Sequence, residues 1–242
     1  MSRGRVGVLV PPANPAAEPE LARLLGSRAD MHVSRFPVRP GYSLAERLEM
    51  YNATLPDMIR SFGGLRLDAL VMACSGSRYL IGPEQDRYRC EELSKEFGVP
   101  FASATLATWE AFEHVGTHDF ILVSPYQPWL TELAERFWAE AGLIVTKVVP
   151  VFAKGRTSPY DVTPAELVRQ VEEADLPHDA VVLFSGTGMA TLPALGSLGT
   201  GNDRILLTSN LCSAWWALSQ ATGQPLTLSR VPHRRAAQRQ HS

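Results

Sequence analysis

Short apolar runs alternate with longer helical patterns along nearly the whole chain, and this alternation restricts the possible folds more than any other feature. The runs that predict strands cover residues 6–10, 32–36, 69–73, 120–124, 144–151, 180–184 and 205–208. The helical patterns cover residues 18–25, 44–62, 83–97, 106–114, 129–141, 164–173 and 211–221. Such regular alternation predicts an α/β fold in which parallel sheets are covered by helices on both faces. Ser43, Thr163 and Ser209 precede three of these helices as candidate N-caps, and Thr163 to Glu166 has the spacing of a capping box.

Two strand-and-turn patterns occur twice, about 110 residues apart. Residues 6–12 and 120–126 are both strands that run into proline turns, and residues 68–76 and 179–188 both run into hydroxyl- and glycine-rich turns. The repetition predicts two similar α/β halves, one over residues 1–115 and one over 116–208. The helix at 209–223 is expected to complete the first half, and residues 224–242 are expected to form a disordered tail. Four strand ends can then face one another across a cleft, where pockets commonly form.

Composition and charge exclude several classes of protein. Apolar residues make up 45% of the chain and charged residues 20%, and the net charge is −2, so neither a nucleic acid nor an anionic membrane surface is an expected partner. Apolar stretches stay short of the roughly 18 residues that cross a bilayer. The three cysteines are an odd number without close spacing, which argues against a disulfide framework and against a zinc site. We therefore expect a cytoplasmic protein.

Cys74 is the foremost candidate for chemistry. It ends the apolar run 69–73 and is followed by Ser75-Gly76-Ser77, so a buried strand passes into a polar, glycine-permissive turn. Ligands of parallel α/β sheets bind outside the carboxyl ends of strands. A helix starting just beyond the thiol is expected to lower its pKa below the free value of about 8.5. Buried structural roles are expected for Cys90 and Cys212.

The turn Ser185-Gly186-Thr187-Gly188 follows another predicted strand. Its amide groups can approach an anion closely, but the chain lacks the GxGxxG and Walker spacings of nucleotide sites, so a small carboxylate fits better. Tyr126 and Asn14 follow the two proline-turn strands and can donate hydrogen bonds. Candidate partners for a substrate carboxylate are Arg35, Arg39 and Arg78, although most arginines are simply solvated. The histidines show neither metal-ligand spacing nor a Ser-His-Asp arrangement.

Five motifs in collinear order resemble the maleate cis–trans isomerase and arylmalonate decarboxylase branch of the aspartate/glutamate racemase superfamily. They are residues 6–14 with Glu18-Pro-Glu20, residues 73–76, residues 124–126, residues 185–192, and residues 208–211 with Trp216. The resemblance implies two Rossmann-like halves related by a pseudo-twofold, an active site between them and no cofactor. It also implies one cysteine position in each half. Cys74 matches the first position, and the second falls at Gly186 or, in the alternative register, at Ser185.

The missing second thiol separates the activities that the resemblance implies. Racemisation needs a proton acceptor on one face of the substrate and a donor on the other, so it is disfavoured. Two reactions that need one thiol remain: addition of the Cys74 thiolate to an unsaturated diacid such as maleate, with cis–trans isomerisation, or decarboxylation of a malonate-type acid with Cys74 as proton donor. The resemblance places the thiol of the decarboxylase at the second position, which favours the isomerase. A non-catalytic protein that binds small acids is the alternative of another class.

Both reactions need hydrogen-bond donors for the charge that develops on a carboxylate. The expected donors are Ser75, Gly76, Tyr126 and the Gly186–Thr187 amides, with Asn14 and Asn210 on the other carboxylate. Met189, Val38 and Tyr42 are expected on the apolar side of the pocket. The expected partner is a small carboxylic acid, and the tryptophan-rich helix near Trp216 is compatible with either a core or a homo-oligomer interface.

Overall fold

The computed structural model describes residues 3–155 and 158–228 and contains two four-stranded parallel sheets. The first has the order β2-β1-β3-β4, with β1 at Gly4–Val10, β2 at Ala29–Arg35, β3 at Ala69–Met72 and β4 at Phe101–Ser103. The second has the order β6-β5-β7-β8, with β5 at Asp119–Ser124, β6 at Ile144–Pro150, β7 at Val181–Phe184 and β8 at Ile205–Thr208. Because both sheets have the same strand order, the predicted α/β class with two parallel-sheet halves is confirmed.

Helices connect the strands in both halves. The first half contains α1 (Ala17–Leu25), α2 (Leu44–Ala53), α3 (Leu55–Arg60), α4 (Gly76–Tyr79), α5 (Pro83–Phe97) and α6 (Ala104–Val115). The second half contains α7 (Pro128–Glu140), a 3₁₀ turn (Pro159–Asp161), α8 (Pro164–Glu173) and α9 (Leu192–Leu198), and α10 (Ser209–Thr222) follows. Among the described helices none is long and apolar enough to cross a membrane.

The structure differs from the sequence-based expectation where elements are short. Strand β4 has three residues, and helices α4 and α9 have four and seven, so none shows a periodic pattern. The helix expected over 44–62 is two helices, because Pro56 lacks the N–H that would continue the first. The capping boxes of Ser43 and Thr163 are present, but α10 is capped by Thr208 rather than Ser209.

Helix α10 returns to the first half after the second half is complete. It packs on α1 and α6 and against β1 and β3. Trp215 and Trp216 on this helix are buried within the monomer and belong to its core. Leu228, near the end of the described chain, is buried in the same core, whereas residues 229–242 of the predicted tail lie outside the described residues.

The hydrophobic core continues from one half into the other. The larger cluster joins β1 and β3 to Phe120 and Leu122 of β5, whereas Ile121 and Val123 face a smaller cluster with α8 and α9. Alternate residues of β5 are therefore buried on opposite faces of its sheet. This shared core places the carboxyl ends of β1, β3, β5 and β7 beside one another at the junction of the halves.

Candidate active site

A cavity of about 290 Å³ lies at this junction, and segments that follow all four strand ends line it. Asn14 follows β1, Cys74 to Gly76 follow β3, Tyr126 follows β5, and Gly186 to Met189 follow β7. The remaining lining residues are Pro11, Leu44, Arg47, Leu48, Tyr51, Pro125, Gln127, Leu130, Ser158, Pro159 and Tyr160. The sequence thus predicts which strand ends meet, but it does not predict the lining residues that come from α2 and from residues 158–160.

Cys74 is buried to 94% yet borders the cavity, so its sulfur is enclosed without being sealed in hydrocarbon. The peptide N–H groups of Gly76 and Ser77 and the Ser77 hydroxyl face the sulfur and favour the thiolate, as does the charge of Arg78. Burial outweighs them and raises the pKa of the Cys74 thiol. The expectation of a lowered pKa is therefore wrong, because four-residue helix α4 offsets only part of the desolvation.

Gly186 lines the same cavity as Cys74, in a conformation with φ +92°. A Cβ atom at this position would lie 2.8 Å from the Tyr126 hydroxyl oxygen, which is too close for any real side chain. The phenol of Tyr126 therefore occupies the space that a side chain at position 186 would need. Ser185, the other candidate for the second cysteine position, is fully buried behind the wall, where its hydroxyl lies 2.8 Å from that of Tyr79.

Tyr126 is a hydrogen-bond donor rather than a base. Burial raises its pKa well above the ordinary value, and the nearby Tyr79 and Cys74 raise it further, while the Ser185 side chain lowers it less. The phenol stays protonated at every physiological pH and can stabilise an anion on the substrate. Because glycine has no side chain, the described site holds no second proton acceptor at position 186.

We expect Gly186→Ala to lower the free energy of unfolding by about 1–3 kcal/mol, because the new Cβ displaces the Tyr126 phenol and φ +92° strains alanine. Urea denaturation measures this. Gly196→Ala is the matched control, since Gly196 lies within α9 with open space around it, and helix propensity there favours alanine. The proposed clash with the Tyr126 phenol is contradicted if both variants change the free energy of unfolding equally. It is also contradicted if adding Tyr126→Phe to Gly186→Ala restores none of the lost free energy of unfolding.

Asn14 and Thr187 connect the two halves beside Cys74. The Asn14 Nδ2 donates to the Thr187 hydroxyl over 3.0 Å, and that hydroxyl donates to the carbonyl of Ala73 over 2.6 Å. The Asn14 Oδ1 accepts from the N–H groups of Ala16 and Ala17 at the start of α1. One N–H of the Asn14 amide group therefore remains available to a ligand. The other bonds of Asn14 fix the Thr187 loop beside Cys74.

Ser75 and Gly186 share a partner that the sequence does not reveal. The Ser75 hydroxyl donates to the Ser209 hydroxyl over 3.2 Å, and the Gly186 N–H donates to the same oxygen over 3.0 Å. The Gly186 amide is therefore directed away from the cavity, contrary to its predicted role as an anion donor. Of the predicted donors, the Gly76 amide faces the Cys74 sulfur and the Tyr126 phenol borders the cavity, whereas the Ser75 hydroxyl is engaged by Ser209.

Glu20 is a buried residue of this region that sequence reasoning missed as a functional contact. Its carboxylate accepts from the N–H groups of Thr191 and Leu192 over 2.5 and 2.7 Å and from the Asn210 amide over 2.7 Å. Asn210 also donates to the Thr187 carbonyl over 3.1 Å. Asn210 thus lies behind the cavity wall, where it supports the Thr187 loop. A single glutamate in a helix carries no sequence signal for contacts with residues so distant in the chain.

The predicted arginines lie elsewhere. Arg78 is buried, with its Nε 3.3 Å from the carboxylate of Asp86, and Arg35 pairs with Glu18 over 2.7 Å at the surface. The cavity is lined instead by Arg47 of α2, beside Tyr51 and Tyr160. Met189 lines the cavity as expected. Arg39, Val38 and Tyr42 do not line it and are exposed.

Cys90 and Cys212 are free and buried, as expected, and neither lines the cavity. Burial raises the pKa of Cys212 to about 12 and that of Cys90 still further. Within residues 3–155 and 158–228, no cluster of three or more histidine, cysteine or acidic side chains is arranged to hold a metal ion. The polar groups that line the cavity are one thiol, the phenols of Tyr51, Tyr126 and Tyr160, one guanidinium, backbone amides, and several amide and hydroxyl side chains.

The chain is similar in sequence and fold to proteins of one branch. It is 24% identical over 207 residues to a maleate isomerase of Geobacillus stearothermophilus, covering 79% of this chain and 81% of that protein. A mutant of the Nocardia farcinica maleate cis–trans isomerase, solved with a covalently bound succinylcysteine intermediate, matches with a TM-score of 0.80 and 17% identity over 90% of this chain and 93% of that one. The chain has the maleate isomerase fold.

Unliganded arylmalonate decarboxylase also matches this chain in fold, with a TM-score of 0.72 and 19% identity over 94% of this chain and 97% of that one. No family model matches the chain. The resemblance to maleate isomerases and arylmalonate decarboxylase is thereby confirmed. At these identities the solved structures establish the fold, and the reaction has to be argued from the site.

Proposed function

We propose that the protein is a cofactor-independent cis–trans isomerase of a small unsaturated carboxylate or dicarboxylate, with Cys74 as its single nucleophile. The observation that carries the proposal is the position of Cys74. Of the three cysteines it is the one that lines the cavity between the halves, and neither candidate for the second cysteine position, Gly186 or Ser185, carries a thiol. The similarity to the Geobacillus stearothermophilus maleate isomerase and to the Nocardia farcinica maleate cis–trans isomerase supports an isomerase.

The reaction requires one bond to form and break. The Cys74 thiolate adds to one carbon of the double bond, and the π electrons move to the other carbon and onto the carboxylate attached to it, which becomes an enediolate. The former double bond is then single and rotates. Return of the electron pair restores the double bond in the trans form and expels the thiolate. No net oxidation occurs, and the succinylcysteine of the Nocardia relative supports a covalent sulfur–carbon intermediate of this kind.

The enediolate needs donors that are in place before the charge develops. The Gly76 amide lies beside the Cys74 sulfur, and Ser75 and Tyr126 line the same cavity. Removing one donor from comparable oxyanion sites costs roughly 3–4 kcal/mol of transition-state stabilisation. The apolar wall formed by Leu48 and Leu130 excludes water and strengthens these hydrogen bonds.

One observation favours a second reaction, decarboxylation of a malonate-type acid. Burial raises the pKa of Cys74, so the thiol is protonated at neutral pH and is suited to donate a proton to an enediolate formed by loss of carbon dioxide. The same raised pKa limits an isomerase to the small thiolate fraction present at neutral pH. The two reactions therefore predict opposite responses to pH.

The proposal is tested by proton NMR in D₂O with maleate, methylmaleate, aryl- and alkylmalonates, and the enantiomers of aspartate and glutamate. An isomerase yields the trans acid, and its rate rises with pH beyond the free-cysteine pKa of about 8.5 as the thiolate forms. A decarboxylase yields a monoacid with carbon dioxide, and its rate falls as pH rises through the raised pKa.

Solvent exchange at the α-carbon of an amino acid without other chemistry would contradict both reactions. Saturable ligand shifts without turnover across the whole panel would leave a small-acid binding protein as the better description. Either outcome overturns the isomerase assignment, because the panel includes both the unsaturated and the malonate-type acids.

A further inference from the structure

We infer that Arg47 binds a second acidic group of the substrate, so that the site selects diacids over monoacids of the same size. The inference rests on the proposed function and makes its substrate class more specific. It assigns a role to the guanidinium of α2, which the sequence analysis does not single out.

Arg47 lines the cavity, is half-buried, and lacks a carboxylate partner among the described residues. Its Nε donates weakly to the Ser43 carbonyl over 3.4 Å, which leaves the two terminal nitrogens of the guanidinium available. No aspartate or glutamate is found among the cavity's described lining residues. A partly desolvated cation without a counter-charge favours an anion in the space that it borders.

The cation lies at a different part of the cavity from the reacting thiol. Burial raises the pKa of both Tyr51 and Tyr160, Cys74 raises both further, and the charge of Arg47 offsets part of the rise, so these phenols lie within range of both the thiol and the guanidinium. The charge that acts on Cys74 is that of Arg78, behind the wall. The reacting carboxylate belongs beside Cys74 and its neighbouring amides, so Arg47 offers a second anion site toward the tyrosines.

The wall between the two positions is apolar. Leu48 and Leu130 border the cavity beside Gly76, since their side chains lie 3.4 and 3.5 Å from the point where a Cβ of Gly76 would be. Leu48 directly follows Arg47 in α2, and Leu44 lines the cavity one turn earlier. A ligand that spans it therefore needs a short hydrocarbon section between two acidic groups. A purely apolar substituent at the outer position would desolvate the guanidinium without providing a charge, which is unfavourable. The arrangement fits an unsaturated diacid better than an aryl monoacid.

The test measures binding of unreactive acids by isothermal titration calorimetry. Succinate and glutarate serve as diacids, and butyrate as the monoacid of similar size. The intact protein should bind at least one diacid about tenfold or more tightly than butyrate, and Arg47→Gln should remove about tenfold or more of that diacid affinity while changing butyrate affinity by less than about twofold. Arg47→Lys keeps the charge and should retain more diacid affinity than Arg47→Gln.

Arg39→Gln is the matched control, because Arg39 precedes the same helix but is exposed and does not line the cavity. Its diacid affinity should equal that of the unmodified protein. Urea denaturation of Arg47→Gln, with Arg47→Lys as the charge-retaining check on the fold, separates lost affinity from lost structure. The inference is overturned by equal losses for diacid and monoacid, by an unchanged diacid affinity in Arg47→Gln, or by no acid binding at up to about 10 mM.

Because saturated acids cannot isomerise, this outcome is independent of turnover. Diacid preference that depends on Arg47, without any reaction in the NMR panel, refutes the proposed isomerase and leaves the diacid site intact. Isomerisation of maleate by a protein whose Arg47→Gln variant binds diacids normally refutes the diacid site and leaves the isomerase intact.

Discussion

Cys74→Ser should lower turnover by at least about a thousandfold, while the protein remains folded and still binds acids. The serine hydroxyl has nearly the size of the thiol, so the wall and the neighbouring amides of Ser75 and Gly76 persist. A buried hydroxyl is far harder to ionise than a thiol and is a poorer nucleophile toward a double bond. As a proton donor to an enediolate it is also weaker, so the loss is expected for either reaction.

The measurement is the initial rate of product formation with whichever acid of the NMR panel reacts, followed at several pH values. Cys212→Ser is the matched control, since Cys212 is equally buried but lies in α10 away from the cavity, and it should keep its rate within about threefold. Full turnover by Cys74→Ser, or an equal loss in both variants, would remove the thiol from the mechanism.

Asp86→Ala should lower the free energy of unfolding by about 3–5 kcal/mol. The Asp86 carboxylate is buried and accepts from the hydroxyls of Ser103 and Thr105 over 2.6 and 2.5 Å, in addition to its ion pair with Arg78. Truncation leaves the buried guanidinium of Arg78 without its counter-charge and removes the acceptor of two hydroxyls, of which only one can then donate to the other. Because Arg78 acts on Cys74, we also expect altered thiol reactivity in any folded population.

Urea denaturation measures the effect, and Asp57→Ala is its control. Asp57 pairs with Arg60 over 3.0 Å at the surface, where an ion pair contributes only about 0–1 kcal/mol. A similar small loss in both variants would show that Asp86 does not neutralise Arg78 in the folded protein. The alkylation rate of Cys74 as a function of pH, measured on folded Asp86→Ala, reports the change in thiol reactivity.

The features that could be predicted from the sequence are those encoded by neighbouring residues, namely the strands and the turns that follow them. Strand patterns ending in hydroxyls, glycine or proline identify the segments around Cys74, Tyr126, Asn14 and Gly186, and all four line the cavity. Parallel sheets bring such ends to one edge by geometry, so the order of the elements suffices to predict their meeting. Short elements such as β4 could not be predicted, because three residues are too few to show a periodic pattern of apolar residues.

The contacts that hold the site together could not be predicted in the same way. Glu20 and Asn210 are 190 residues apart in the chain, and nothing in a helical glutamate indicates that its carboxylate caps a distant helix. Arg78 and Arg47 have the same local appearance in sequence. Only packing places Arg78 in a buried ion pair and Arg47 at the cavity.

The pKa of Cys74 shows a related limit. The sequence indicates that a helix begins beyond the thiol, which by itself favours the thiolate. The depth at which packing encloses the sulfur sets the opposing desolvation, and that depth is a property of the whole fold. The direction of the shift is therefore known only when the surroundings are known.

The return of α10 to the first half bears on how the chain folds during its synthesis. The ribosome releases every strand of the second sheet before it releases the helix that packs over β1 and β3. Until then the apolar surface of that earlier sheet has no cover, and nascent chains carry it exposed. A nascent chain arrested just before α10 would therefore be a natural client for chaperones, although it already carries Cys74 and the four strand ends that line the cavity.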